Sequence, residues 1–144
     1  MRRQYHSRRT PDGVLVWDVH RLIRLSRDLP RLDVPLVTIG ELDENWWYDQ
    51  TGTEMVPTPR AITEHMRLVL AVDLAFPVIL CAEGRLMDGM HRAVRSLLEG
   101  HETIRAVRFP VTPRPDYVDV SLDDLPYDDL PLDDPPDETI RPTR

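Results

Sequence analysis

Cysteine is nearly absent. Cys81 is the only one in 144 residues, so no internal disulfide can form and no second thiolate supports a cysteine-based zinc site. Lysine is missing altogether, and all 18 basic residues are arginine. Arginine makes planar, bidentate contacts with phosphate, although a GC-rich genome accounts for the bias more simply. Apolar runs are short, and none reaches the length that spans a bilayer. Met1-Arg2-Arg3-Gln4-Tyr5-His6 lacks the apolar stretch of a signal peptide, so the expected location is cytoplasmic, with no membrane partner. A basic excess is also lacking. Over residues 1–115, 16 arginines face 15 acidic residues and leave +1; over 116–144, two arginines face ten acids and leave −8, which together give the net −7 of the chain. A neutral body with an acidic end disfavours nucleic acid as a partner, because non-specific binding needs a basic face.

What remains, 41% hydrophobic and 30% charged residues, is the composition of an ordinary globular protein, long enough for one domain with a real core. Residues 1–30 read as a hairpin followed by a helix. Gln4-Tyr5-His6 is one arm, Thr10-Pro11-Asp12-Gly13 the turn and Val14-Leu15-Val16-Trp17 the other arm. Asp18 is placed as the N-cap of a helix that puts Val19, Leu22, Ile23 and Ser26 on one face and runs to about Leu29, before Pro30. His6, Arg8 and Arg9 form a basic cluster ahead of the turn.

Residues 31–115 carry the expected core. Val34-Pro35-Leu36-Val37-Thr38-Ile39 predicts a strand whose Pro35 confines its start to an edge or a bend. Gly40 to Pro59 shows no period and reads as a long loop, holding Glu41, Asp43, Glu44, Trp46, Trp47 and Tyr48. Thr58 and Pro59 open a helix with Ile62, Met66, Val69, Leu70 and Asp73 at core-facing spacing. Pro77-Val78-Ile79-Leu80 reads as a buried strand, Glu83-Gly84 as a turn, Leu86-Met87 as the return strand and Asp88-Gly89 as the turn into a second helix. That helix, Met90 to Leu98, is expected to turn Val94, Leu97 and Leu98 inward and to stop at Gly100. Thr103 to Phe109 alternates as a strand.

Residues 116–144 change character. Leu122-Asp123-Asp124-Leu125-Pro126, Tyr127-Asp128-Asp129-Leu130-Pro131 and Leu132-Asp133-Asp134-Pro135 form a degenerate five-residue repeat. Proline opposes helix, the carboxylates repel, and little apolar surface remains to offset ordering entropy, so a disordered, dispensable tail is expected. Its paired carboxylates sit in no Gly-centred loop and are poor metal ligands.

The hairpin that feeds a helix is the most informative stretch. A helix N-terminus offers unpaired backbone N–H groups and the positive end of the helix dipole. Gly89 lets a ligand approach the backbone, and His91 and Arg92 add donors, so the turn suits a phosphate.

Together the strand from Val34, the helix from Arg60 to Val72, the Pro77-Val78-Ile79-Leu80 strand and Asp88-Gly89-Met90-His91-Arg92-Ala93 resemble the ParB/sulfiredoxin superfamily of small α+β domains. The likeness covers about half of the chain, roughly Val34 to Phe109. It implies a single α+β domain with a small mixed sheet and flanking helices. Sulfiredoxins use Gly-Cys-His-Arg, and Met90 stands where that cysteine would be; Cys81, on a strand, reads as a small buried hydrophobe. Partition proteins carry Gly-Glu-Arg-Arg, which binds CTP, and a helix-turn-helix after it, for which nothing is in place beyond Phe109. The Asp-Gly-His-His-Arg of ADP-dependent free serine kinases differs from this chain only at Met90. The resemblance implies a nucleotide, ATP, ADP or CTP, held at Asp88, Gly89, Met90, His91 and Arg92, and a small-molecule kinase as one outcome. Glu41, Asp43 and Glu44 are then the candidate catalytic acids beside an acceptor hydroxyl. Asp88 has two readings, a helix cap or a residue that positions magnesium beside the phosphates. A non-enzymatic nucleotide-sensing or protein-binding module is the alternative, with Trp46, Trp47 and Tyr48 or the acidic tail as the protein-binding surface. The three aromatic residues equally suit stacking on a base or folding onto the core.

Overall fold

The computed structural model describes residues 4–48 and 56–127. In chain order the strands are β1 (Tyr5–Thr10), β2 (Gly13–Asp18), β3 (Leu32–Pro35), β4 (Val78–Leu80), β5 (Leu86–Asp88), β6 (Thr103–Arg108) and β7 (Tyr117–Val118). The helices are α1 (Val19–Ser26), α2 (Pro59–Ala71) and α3 (Met90–Leu98). This is a mixed α+β chain, and no helix among the described residues is long and apolar enough to cross a membrane. It divides into two compact units, Pro30–Arg108 and a second built from Met1–Leu29 with Phe109–Arg144.

In the second unit β1 and β2 pair antiparallel from Tyr5 opposite Asp18 to Thr10 opposite Gly13. Gly13 closes the turn at φ +117°, and a Cβ there would meet Asp119 Oδ1 at 2.5 Å; that carboxylate accepts the Val14 N–H at 2.8 Å. Asp18 caps α1 as expected, accepting the His20 N–H at 2.9 Å. The helix ends at Ser26 rather than Leu29, because the N–H groups of Arg27 and Leu29 turn tightly back to the carbonyls of Arg24 and Ser26 and a residue before proline is biased away from the helical region. Arg21 is buried where Ile23 was expected. Its guanidinium donates to the Arg114 carbonyl at 2.8 Å and pairs with Asp116 at 3.0 Å.

The tail expected from residue 116 is thus not all disordered. β7 pairs with β2, placing Tyr117 opposite Val16, Leu125 is 5% exposed, and Tyr127 meets Tyr5 edge-to-face at 5.4 Å. Tyr117 and Tyr127, spaced among the acids, find partners in the N-terminal hairpin. The rest of the expected tail lies outside the described residues.

In the unit Pro30–Arg108 one sheet has the order β3-β6-β4-β5. β4 and β6 are parallel, and β3 and β5 pair antiparallel on the two edges. β3 is the edge strand that Pro35 permits, but it starts earlier than expected and stops at Pro35. Leu36 to Thr38 form a 3-10 turn instead, with the Thr38 hydroxyl donating to the Pro35 carbonyl at 2.7 Å. A second 3-10 turn covers Gly40–Asp43. Leu36, Ile39, Val78, Leu80, Leu86, Met90, Ala93, Ile104 and Ala106 form the core.

Both helices are rotated from the faces that hydrophobicity suggests. α2 opens as expected at Thr58, whose hydroxyl accepts the Ala61 N–H at 3.1 Å, but of the expected stripe only Val69 is fully buried, while Ile62 and Leu70 are exposed. α3 buries Met90, Ala93 and Ser96 and packs Val94 against the core as expected, leaving Leu97 56% and Leu98 59% exposed. Ala93 and Ser96 are the small side chains of that buried face. The larger leucines fall on the far side.

Candidate functional site

β4, the turn after it and β5 deliver the chain to α3. Cys81, fully buried, bonds through its N–H to the Arg85 carbonyl at 2.8 Å and through its carbonyl to the Gly84 N–H at 2.9 Å. This closes the turn; Cys81 is buried as expected, and its thiol also donates to Glu83 Oε2 at 3.2 Å. Gly89 then takes φ +109° and stands as the residue before the helix. A Cβ at Gly89 would lie 2.7 Å from Val78 Cγ1 and 2.8 Å from Arg92 Nη2. Glycine is required here for its conformation and for the close approach. Among the described residues no side chain caps α3, and its first-turn N–H groups have no acceptor within the helix.

Asp88 does not act as the cap. Its carboxylate accepts from Arg92 Nη2 at 2.9 Å, an i,i+4 ion pair in which both side chains are largely covered. The strand carries Asp88 to just before Gly89, and the guanidinium one helical turn on outcompetes the backbone N–H for it. Arg92 also donates to the Pro77 carbonyl at 3.3 Å, and its Nε–H is buried without a hydrogen-bond partner among the described residues. Met90, expected to contact ligand, is a core residue; it can offer only its backbone N–H.

His91 leads to a group that the sequence did not reveal. His91 Nε2 and His65 Nδ1 lie 3.1 Å apart, joining the first turn of α3 to the middle of α2. Trp47 stacks on both imidazoles, with ring centroids 4.3 Å from His65 and 4.9 Å from His91, and Tyr48 meets His65 edge-on at 5.7 Å. Burial lowers the His65 pKa below its usual value. Burial also lowers that of His91, with His65 and Arg92 adding to the effect and Asp88 opposing it. Desolvating an imidazolium and setting it near other cations both favour the neutral ring. Trp46 and Trp47 pack on the core, so this aromatic segment folds onto its own domain. His65 carried no signal of its own, being one histidine on an amphipathic helix with its partner 26 residues away.

The three candidate acids separate. Glu41 is 4% exposed, and its Oε1 accepts the Leu86 N–H at 2.6 Å and lies 3.6 Å from Arg85 Nε. Glu44 reaches Arg85 Nη2 at 3.5 Å. Asp43 is exposed at the end of the 3-10 turn. Among the described residues no group of three or more His, Cys, Asp or Glu side chains is arranged to hold a metal ion. His6, Arg8 and Arg9 lie on β1, where His6 stacks on Trp17 at 5.7 Å and Arg8 lies 5.5 Å over the same ring.

No family model, curated protein or solved structure matches the chain.

Proposed function

We propose that this chain binds the phosphate groups of a nucleotide at the start of α3, through the first-turn N–H groups and the side chains of His91 and Arg92, in the manner of a ParB/sulfiredoxin-like domain. The observation that carries this reading is Gly89. A left-handed glycine, with no space for a Cβ, opens a nine-residue helix that no side chain caps, leaving donors and a positive dipole end for an anion. Arg92 brings the charge, and Asp88 holds it in place until a phosphate competes for it.

A binding or sensing role fits the acids better than phosphoryl transfer does. A general base needs a free carboxylate within reach of the acceptor hydroxyl, and Glu41 is buried with its Oε1 bonded to the Leu86 N–H. The kinase reading therefore rests on the exposed Asp43 and on Glu44, and magnesium would arrive with the nucleotide rather than in a preformed protein site. A thermal-shift panel of ATP, ADP, CTP and GTP, with and without magnesium, tests the proposal, because a ligand that binds only the folded state raises the melting temperature. A rise with at least one nucleotide is expected. Turnover of that nucleotide with a pool of hydroxylated metabolites, lost in Asp43→Asn or Glu44→Gln without loss of affinity, would favour the kinase.

A further inference from the structure

We infer that His65 and His91 form one proton-sharing unit through which His65, on α2, controls the charge that His91 presents to an anion at the start of α3. This rests on the phosphate-binding reading for its purpose, but the pair itself does not. The nitrogens are 3.1 Å apart, while the ring centroids are 5.4 Å apart and the rings only 20° from parallel. Two imidazoles so placed meet edge to edge and nearly in line, joined tip to tip. A metal ion, ~2.0–2.1 Å from each nitrogen, needs lone pairs that converge from two directions. Here they face each other, as a shared hydrogen demands.

One ring must donate and the other accept, so the two tautomers are locked together. In the neutral pair with His65 donating, its Nδ1–H points to His91 Nε2, His91 carries its own proton on Nδ1, and His65 Nε2 is bare. A proton from solvent then adds to His65 Nε2, the Nδ1–H bond of His65 breaks, and that proton bonds to His91 Nε2. His65 ends neutral with its proton on Nε2, and His91 ends as the imidazolium. Charge taken up on α2 is thereby delivered to α3. Trp47, stacked over both rings, favours a single cation beneath its face.

The neighbouring charges fit this role. Asp88 on β5 favours the cation on His91 and Arg92 opposes it. On α2 the ion pair Glu64–Arg67 is exposed and internally satisfied at 3.1 Å, Arg60 is exposed, and Tyr48 lies edge-on to His65. The 3-10 turn against α3 brings Glu41, engaged with Leu86 and Arg85, and the exposed Asp43. From α3 itself, Arg95 is committed to the Leu70 carbonyl and Glu99. An arriving phosphate therefore adds the largest new negative charge and draws the proton to His91.

The test uses 15N NMR of the histidine rings in the full chain from pH 8 to 4, with His65→Gln as the partner-free variant. The expected result in the parent is two titration steps separated by more than about one pH unit and shared by both rings, collapsing to one ordinary step for His91 in His65→Gln. Independent titration of the two rings, with His91 unchanged in His65→Gln, overturns the proposal. Calorimetry of ATP binding in two buffers of different ionisation heat then reads proton uptake, expected for the parent and reduced in His65→Gln. Coupled titration without any ATP binding retains the pair and rejects the phosphate reading. ATP binding with no proton uptake near the titration midpoint rejects the control of anion binding by His65.

Discussion

Glu41 Oε1 accepts the backbone N–H of Leu86 at 2.6 Å across 45 positions of the chain. The bond ties the 3-10 turn Gly40–Asp43 to the start of β5, with the carboxylate buried and Arg85 beside it. A residue that sequence order places among catalytic candidates is thus holding the hairpin that leads to α3.

Glu41→Ala is expected to destabilise the protein by about 1–3 kcal/mol, the cost of leaving a buried N–H without its acceptor. Glu41→Gln keeps an acceptor oxygen and should cost less. Denaturant unfolding of the two variants checks the order, and equal stability of all three proteins would remove the structural role.

Gly89→Ala should be more damaging than an ordinary helix-end substitution, because the new Cβ meets Val78 at 2.7 Å in a backbone conformation that disfavours side chains. A lowered melting temperature together with weaker nucleotide binding is expected. A variant with the parent's melting temperature would show that the turn has room to relax.

The melting temperature should fall on mild acidification in a way that depends on the imidazole pair. Folding lowers the pKa of both rings, so the unfolded chain, at about 6.5, binds protons more readily. Their contribution to stability is complete above that value and is lost as pH falls through it towards the lowered folded pKa. Melting curves from pH 7.5 to 5 should show a smaller loss in His65→Gln than in the parent.

A chain ending at Val120 should melt lower than one ending at Tyr127. Leu125 is buried, and Tyr5 donates to the Pro126 carbonyl and packs edge-on against Tyr127; removing one buried leucine alone costs about 2 kcal/mol or more. Identical melting temperatures would mean that these contacts add nothing.

The hairpin into α3 was legible because its signals are local: glycine at Gly84 and Gly89, a short apolar run on each side, and Pro77 at the entrance. The caps at Asp18 and Thr58 were legible for the same reason. Helix faces were not. Leu97 and Leu98 looked inward by hydrophobicity, yet α3 turns Ala93 and Ser96 to the buried side, and the close approach of Gly89 to Val78 is a tertiary fact. Likewise, proline and acids dominated the reading after residue 116, while Tyr117 and Tyr127 gained their partners from the opposite end of the chain. His65 needed the packing of α2 on α3 before its relation to His91 could be seen.

The central claim is that a phosphate is held at the start of α3, and the most direct measurement is the nucleotide dissociation constant of the parent chain beside that of Arg92→Ala. Arg92 forms a largely covered ion pair with Asp88, so the variant is compared once its melting curve shows it folded, and loss of a charge-assisted hydrogen bond of roughly 1.5–3 kcal/mol predicts an affinity about tenfold or more weaker. A folded Arg92→Ala protein that binds the nucleotide as tightly as the parent, or a parent that binds none of ATP, ADP, CTP and GTP, would contradict the account.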